Sequence, residues 1–265
     1  MPDKEFGPAP EEAKDRNFVT ALARGLDVLR CFRPGEVELT NTDIAARTGL
    51  PKPTISRLTH TLCQLEYLVT DTRTNTYRLG AGVLGLGFGV LSGMEIAERA
   101  KDALAALRNG PNSYITSALG ERHRCEVVYV AVRLSRENVS LSMHVGSRLP
   151  LFGSAMGRAI LVGLEESERA KVFDLANAED PDGKNQRQQV FAQAQSDYQT
   201  RGFCTSYGDW RGDVNAIAVP VFSLSGSRVY GLNAGGPSFH VKKKQLESHY
   251  APLLIQAANS LSPRP

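Results

Sequence analysis

Between residues 52 and 64 the chain repeats cationic and hydroxylated side chains in a pattern suited to a polyanion. Lys52, Pro53, Thr54, Ser56, Arg57, Thr59, His60 and Gln64 fall on one side of a helical repeat, while Ile55, Leu58, Leu62 and Leu65 follow at i, i+3, i+7 and i+10 on the other. Lys52 and Arg57 can meet phosphates or a guanine edge; Thr54, Ser56 and Thr59 can bond phosphate oxygens or touch a thymine methyl. Arg47 precedes this stretch, and Arg73 and Asn75 stand in a later polar turn sized to reach a minor groove or the backbone. An amphipathic helical hairpin that packs on another protein would show the same periodicity, so both readings stay open on pattern alone.

Catalytic and metal-binding chemistry find no comparable grouping. His60, His123, His144, His240 and His249 are dispersed, without the H-x-x-x-H spacing of a zinc site. Cys31, Cys63, Cys125 and Cys204 form no C-x-x-C pair, which suggests a reducing cytoplasm and no structural metal; Cys63, between the two helix faces, reads as packing rather than redox sensing. Ser154 lies in Leu151-Phe152-Gly153-Ser154-Ala155-Met156, which lacks the G-x-S-x-G of a nucleophile elbow. A phosphate-binding loop and a dinucleotide fingerprint are missing too. The expectation is a non-enzyme without cofactor or metal.

Elements must hold these residues. Phe18 to Phe32 places Val19, Leu22, Leu26 and Leu29 on one helical face, and Arg33-Pro34-Gly35 stops it. Thr40-Asn41-Thr42-Asp43 resembles a capping box that starts a second helix with Ile44, Ala45 and Thr48 on its buried side. Gly49-Leu50-Pro51 is a tight turn, with Gly49 free to take a positive φ. The helix over 52–66 follows, then strands Tyr67–Thr70 and Thr76–Leu79 about the turn 71–75. Helix, turn, helix and hairpin make a winged helix-turn-helix.

The expected organisation is a disordered arm over 1–16, the winged helix-turn-helix over 17–80, a linker helix over 81–110, glycine-rich at first, and an α+β sensor domain over 111–265. In the last, strands are expected at Cys125–Arg133, Val139–Val145 and Ala216–Phe222, and helices at Ser154–Leu164, Ser167–Ala176, Gln186–Thr200 and Lys242–Leu261. The net charge of +3 decides little, although residues 16–80 hold nine Arg or Lys against six Asp or Glu, a mildly basic domain that permits nucleic-acid binding. The N-terminus has no signal-peptide pattern, and the apolar run Val83–Leu91 is too short for a bilayer. A soluble cytoplasmic protein with no membrane partner is expected.

Four ordered blocks then suggest a family. DIAARTGLPKPTISRLTHTLCQLEYL (43–68), VGSRLPLFGSAMGRAILVGL (145–164), RGFCTSYGDWRGDVNAIAVPVF (201–222) and YGLNAGGP (230–237) resemble IclR-family transcription regulators, in order and spacing. The resemblance implies a GAF-like effector-binding domain, with a curved antiparallel sheet and flanking helices. It implies a dimer built through the N-terminal domain and linker helix, often a dimer of dimers. It implies double-stranded pseudo-palindromic operator DNA as partner, and control of a catabolic operon, by repression in preference to activation.

Carried over by position, the pocket residues are Leu141, Leu149, Ala155, Met156, Ser206, Ala216, Asn233 and Gly235. Relatives that bind small keto acids use an Asp, a Cys and two Ser there; Ser206, Ala216, Asn233 and Gly235 stand at those places here. Ser154 opens a helix start at Ala155–Gly157 whose free N–H groups favour an anion. Phe152, Tyr207 and Trp210 stand near enough in sequence to stack on a ring, or else pack as core or lid. A small-molecule effector larger than pyruvate, aromatic or bearing a carboxylate or amide, is the resulting expectation.

Overall fold

The structure, a computed structural model, describes residues 16–33, 35–137 and 143–262. The expected arm, apart from Arg16, and the pocket position Leu141 lie outside the described residues. The described chain forms two compact units that divide between Gly93 and Met94.

The first unit holds α1 (Thr20–Arg30), β1 (Leu39–Thr40), α2 (Asn41–Thr48), α3 (Lys52–Gln64), β2 (Leu68–Asp71), β3 (Thr76–Leu79) and α4 (Ala81–Ser92). The expected capping box is formed. The Thr40 hydroxyl accepts the Asp43 N–H at 3.2 Å, and the Asp43 carboxylate accepts the Thr40 N–H at 2.8 Å, which satisfies two orphan donors of α2. Gly49 closes α2 in the left-handed region, φ 67°, and so sets the turn into α3. The strands pair antiparallel in the order β1-β3-β2. Beneath them Val28, Cys31, Leu39, Ile44, Ile55 and Leu68 form the core.

Two expected apolar faces enter that core only in part. On α1, Leu29 packs against it while Val19, Leu22 and Leu26 remain exposed. Leu65 is exposed because α3 has already ended; the next residue, Glu66, turns the chain at φ 59°. Helix α4 buries none of its residues, and Leu84 and Phe88 are 75% and 68% exposed. The linker expected as one helix is therefore three: α4 in the first unit, then α5 (Glu95–Arg99) and α6 (Lys101–Arg108) in the second. Burial explains the division, since Ile96, Leu104 and Leu107 enter the second unit's core.

In the second unit a six-stranded antiparallel sheet runs β6-β5-β4-β9-β8-β7. Its strands are β4 (Thr116–His123), β5 (Glu126–Arg133), β6 (Arg148–Pro150), β7 (Cys204–Tyr207), β8 (Val214–Phe222) and β9 (Val229–Pro237). Helices α7 (Ala155–Gly163), α8 (Glu166–Glu179) and α9 (Lys184–Arg201) stand between β6 and β7 in the chain. A short α10 (Lys243–Gln245) and a π turn (Leu246–Tyr250) lead into α11 (Ala251–Leu261). Alternation sends neighbouring side chains to opposite faces. Tyr230, Leu232 and Ala234 of β9 join Leu104, Tyr250 and Leu254, whereas Ala118, Val127 and Ala218 join Met156, Ile160 and Ala194. Helices thus cover both faces, with α7 on one and α11 on the other.

The expected strands at 125–133 and 216–222 and all four expected helices are present. Of the strand expected at Val139–Val145, residues 139–142 lie outside the described residues and 143–145 are not strand. Sequence reasoning did not identify β4, β6, β7 or β9; in β9, Gly231, Gly235 and Gly236 imitate a loop. Those glycines serve close packing: a Cβ on Gly231 would strike the Met156 side chain, and one on Gly157 in α7 would strike the Leu151 carbonyl. Gly157→Ala is therefore expected to destabilise the protein by about 1–3 kcal/mol, as overpacking does. Urea melts of the two proteins would check this; an unchanged midpoint would show that α7 can move away from Leu151.

Candidate nucleic-acid interface and small-molecule pocket

Lys52, Pro53, Ser56, Arg57 and His60 are exposed along α3, and Thr54 is half-buried. Pro53 sits in the first turn, where its missing N–H leaves no helical bond unmade. The Ser56 hydroxyl accepts from the Asn41 amide at 3.4 Å, which steadies it against α2. Among the described residues neither Lys52 nor Arg57 has an ion-pair partner. On the hairpin tip the Asp71 carboxylate accepts the Arg73 N–H at 2.8 Å, and Asn75 turns the chain at φ 54°. The Arg73 side chain stays 83% exposed and is only loosely paired with Asp71 at 3.9 Å.

Two residues expected on the nucleic-acid side are committed elsewhere. Thr59 is fully buried: four residues from Ile55, it shares the core face, and its hydroxyl donates to the Ile55 carbonyl at 3.0 Å. Arg47 donates to the Cys31 carbonyl at 2.7 Å and to Glu36 at 2.6 Å, tying α2 to the end of α1. That guanidinium holds the Glu36 carboxyl below its ordinary range. Thr59 thus belongs to the core side of α3, and Arg47 to the junction of α2 with the end of α1.

In the second unit Leu149, Ser154, Ala155, Met156, Ser206, Trp210, Ala216, Asn233 and Gly235 line one cavity of about 20 Å³. Thr116, Tyr129 and Val214 complete the lining and were not singled out from sequence. Tyr129 had a readable signal, since it alternates with Val127 in the strand pattern of 125–133; Thr116 and Val214 had none. Phe152 is not in the lining: it packs edge-on against Phe173 at 5.2 Å as part of the hydrophobic layer. Tyr207 is not there either; it donates to Glu247 at 2.8 Å, with the Lys243 amine 5.0 Å from its ring centre.

The two serines are held by the backbone. Ser154 N-caps α7, accepting the Gly157 N–H at 3.1 Å and donating to the Pro150 carbonyl at 2.8 Å. Ser206 donates to the Gly153 carbonyl at 2.9 Å. The lining contains no histidine, carboxylate or ammonium, so Ser154 has no base beside it to make it a nucleophile. Helix geometry leaves the Ala155 and Met156 N–H groups without intrahelical acceptors, at the positive end of the α7 dipole. Opposite them in chemistry, the Asn233 amide N–H approaches the Tyr129 hydroxyl oxygen at 3.4 Å, and the Asn233 Oδ1 is buried without a partner. Among the described residues no cluster of His, Cys, Asp or Glu could hold a metal ion, and no single helix is long and apolar enough to cross a membrane.

Comparison with known proteins follows the same division. The IclR helix-turn-helix domain model matches residues 21–72, and the model of the bacterial transcriptional regulator IclR C-terminal domain matches residues 88–263. The HTH-type transcriptional regulator TsaQ1/TsaQ2 of Comamonas testosteroni is 30% identical over 246 residues, covering 92% of this chain and 87% of that protein. The p-hydroxybenzoate hydroxylase transcriptional activator of Acinetobacter baylyi is 27% identical, covering 95% and 93%. A crystal structure of an IclR family transcriptional regulator from Brucella abortus superposes with a TM-score of 0.83 at 40% identity, covering 96% and 95%.

Burial governs the acid–base behaviour of the thiols and the pocket phenol. It pushes Cys31 up to about 11, and Cys125, Cys204 and Tyr129 up to about 12, from ordinary values of 9.0 for a thiol and 10.0 for the phenol. Folded values above unfolded ones stabilise fully below the unfolded value, and that contribution is lost as pH rises through the folded one. Stability should therefore be level from pH 7 to 9 as far as these groups decide it, then fall between pH 9 and 12. Urea melts across that range would measure it; a fall complete by pH 9 would contradict the burial of these groups.

Proposed function

The chain belongs to the IclR family of bacterial transcriptional regulators, and from that premise we propose that α3 reads operator DNA while a small aromatic acid in the second unit's pocket sets how tightly the operator is held. The observation that carries the first part is the exposed edge of α3. Lys52, Ser56, Arg57 and His60 face outward from a helix whose opposite side is anchored by Ile55 and Thr59. A recognition helix meets base edges through its N-terminal residues, which here include Lys52, Thr54 and Ser56. Arg73 and Asn75 on the hairpin tip suit a phosphate or minor-groove contact.

For the pocket, the walls offered by Leu149, Met156 and Trp210 suit a ring, and the N–H groups of Ala155 and Met156 suit a carboxylate. The Acinetobacter baylyi relative, named for activating a p-hydroxybenzoate hydroxylase, supports an aromatic effector. A cavity of about 20 Å³ holds about one water, so a ring enters only as Met156 or Trp210 gives way. Methionine is the side chain most able to do so.

Two-fold operators call for paired subunits. The uncovered faces of α1 (Val19, Leu22, Leu26) and α4 (Leu84, Phe88) are the surfaces such pairing would cover, as a dimer or a dimer of dimers.

Arg57→Ala should weaken binding to fragments upstream of the chain's own gene by about 1–3 kcal/mol if it reads a guanine. A gel-shift series with scrambled competitor checks this, and equal loss on scrambled DNA would reduce Arg57 to a phosphate anchor. Absence of any salt-sensitive, sequence-selective shift by the unaltered protein would count against operator binding itself. Phe88→Asp should lower the mass in solution and the operator affinity together. Light scattering beside the gel shift measures both, and an unchanged mass would remove α4 from the subunit contact.

A further inference from the structure

Ten of the twelve residues that line the second unit's cavity are buried; Trp210 and Ala216 are half-buried. Trp210 thus spans from the cavity to solvent, and neither the sheet nor α7 carries it. It stands in the turn 208–213 between β7 and β8. Glycines bracket the tip of that turn: Gly208 takes φ 88°, and a Cβ on Gly212 would meet nothing within 4 Å. The backbone closes the base, where the Gly208 N–H donates to the Val214 carbonyl at 2.9 Å and the Ser238 N–H to the Asp213 carbonyl at 2.7 Å. The Arg211 guanidinium bonds inside the turn, to Asp213. Among the described residues, one hydrogen bond ties the tip to the rest of the unit. The Asp209 carboxylate accepts from Arg158 of α7 at 2.6 Å.

That pair is unequal in a way that suits release. Arg158 is 12% exposed and keeps two further acceptors, the Phe152 and Thr205 carbonyls, when Asp209 departs. Asp209 is 47% exposed and passes into water at little loss. An ion pair so placed is weak and is screened by salt. The turn can therefore leave α7 while the helix stays seated and its guanidinium stays bonded. Resting on the effector-pocket reading above, we propose that the turn 208–213 is a gate over the cavity, latched by Asp209 on Arg158. Rotation about Gly208 and Gly212 swings Trp210 outward and opens the cavity with α7 in place; the ion pair re-forms when the turn returns.

Trp210 is the chain's single tryptophan, so acrylamide quenching of intrinsic fluorescence reads the gate directly in the full-length, ligand-free protein. Asp209→Ala should raise the quenching constant about twofold or more. Asp213→Ala removes the same charge and frees Arg211 inside the turn, and should leave the constant near that of the unaltered protein. No rise in Asp209→Ala, or an equal rise in Asp213→Ala, overturns the latch. The melting temperature of Asp209→Ala should hardly move; a fall of several degrees would make the pair part of the fold and overturn its release. Access is read separately, from the rate at which N-ethylmaleimide labels a thiol placed in the lining by Ala216→Cys, followed by mass spectrometry of the peptide that carries it. Adding Asp209→Ala should speed that labelling about fivefold or more; equal rates overturn the gate. Neither readout needs an effector. Failure of every aromatic acid to bind would therefore sink the effector reading alone, and the gate stands or falls on quenching and labelling.

Discussion

The close seating of α7 on the sheet is the constraint from which the pocket follows. Gly157 brings the first turn of the helix against the Leu151 carbonyl, and Gly120 and Gly231 leave the room on β4 and β9 that Met156 fills. Arg158, which is largely buried, then locks the helix laterally. It donates to the Phe152 carbonyl at 3.0 Å, and to the Thr205 carbonyl and Asp209 at 2.6 Å each. With the Ser154 cap in place, the Ala155 and Met156 N–H groups remain without intrahelical acceptors in that first turn.

In the first unit a comparable division separates the exposed residues of α3 from those that hold the helix in place. Helix α3 is amphipathic enough that a shift of one or two positions moves a side chain from solvent to core. Arg57 is exposed while Thr59, two residues on, is fully buried. The buried hydroxyl is satisfied by the Ile55 carbonyl one turn earlier, so a polar residue in the core carries no unmet donor. Asn41 braces α2 against α3 through Ser56 and Thr59. The exposed face of α3 is backed by these contacts.

These arrangements explain what could be read from the sequence and what could not. Periodicity located α2, α3 and the hairpin because capping, turn and apolar signals agree there, from Thr40 and Asp43 through Gly49 to Ile55. It put Val19, Leu22 and Leu26 on one helical face but could not say that the core leaves them exposed, because an apolar stripe states that something covers it without saying what. It misjudged Thr59, since a threonine is polar in a hydropathy pattern and yet satisfied by its own helix. Seven pocket positions (Leu149, Ala155, Met156, Ser206, Ala216, Asn233 and Gly235) came through resemblance, and no pattern in the chain would have assembled them from β6, β7, β8, β9 and α7. Phe152 failed for the opposite reason: nearness in sequence to Ser154 did not fix the direction of its ring, which turned to Phe173. Strand β9 escaped notice because its glycines are chosen for the approach of α7 and not for strand propensity.

The closed state of the pocket bears on how such a protein would respond. A ligand shifts a conformational equilibrium only through its different affinities for the states involved. With a cavity of about 20 Å³, the proposed uptake of a ring would go with movement of the side chains that line it. On the proposed effector reading, the ligand would favour a form in which Met156 or Trp210 has moved. Met156 is wedged against Gly120 and Gly231, so its displacement disturbs the contact of α7 with two adjacent central strands at once. Trp210 lies in the turn between β7 and β8, and its movement would touch mainly that turn. Of the two, only the Met156 route couples occupancy of the pocket to the seating of a whole helix. On the proposed reading, the first turn of α7 would be where a change sensed beyond the pocket begins.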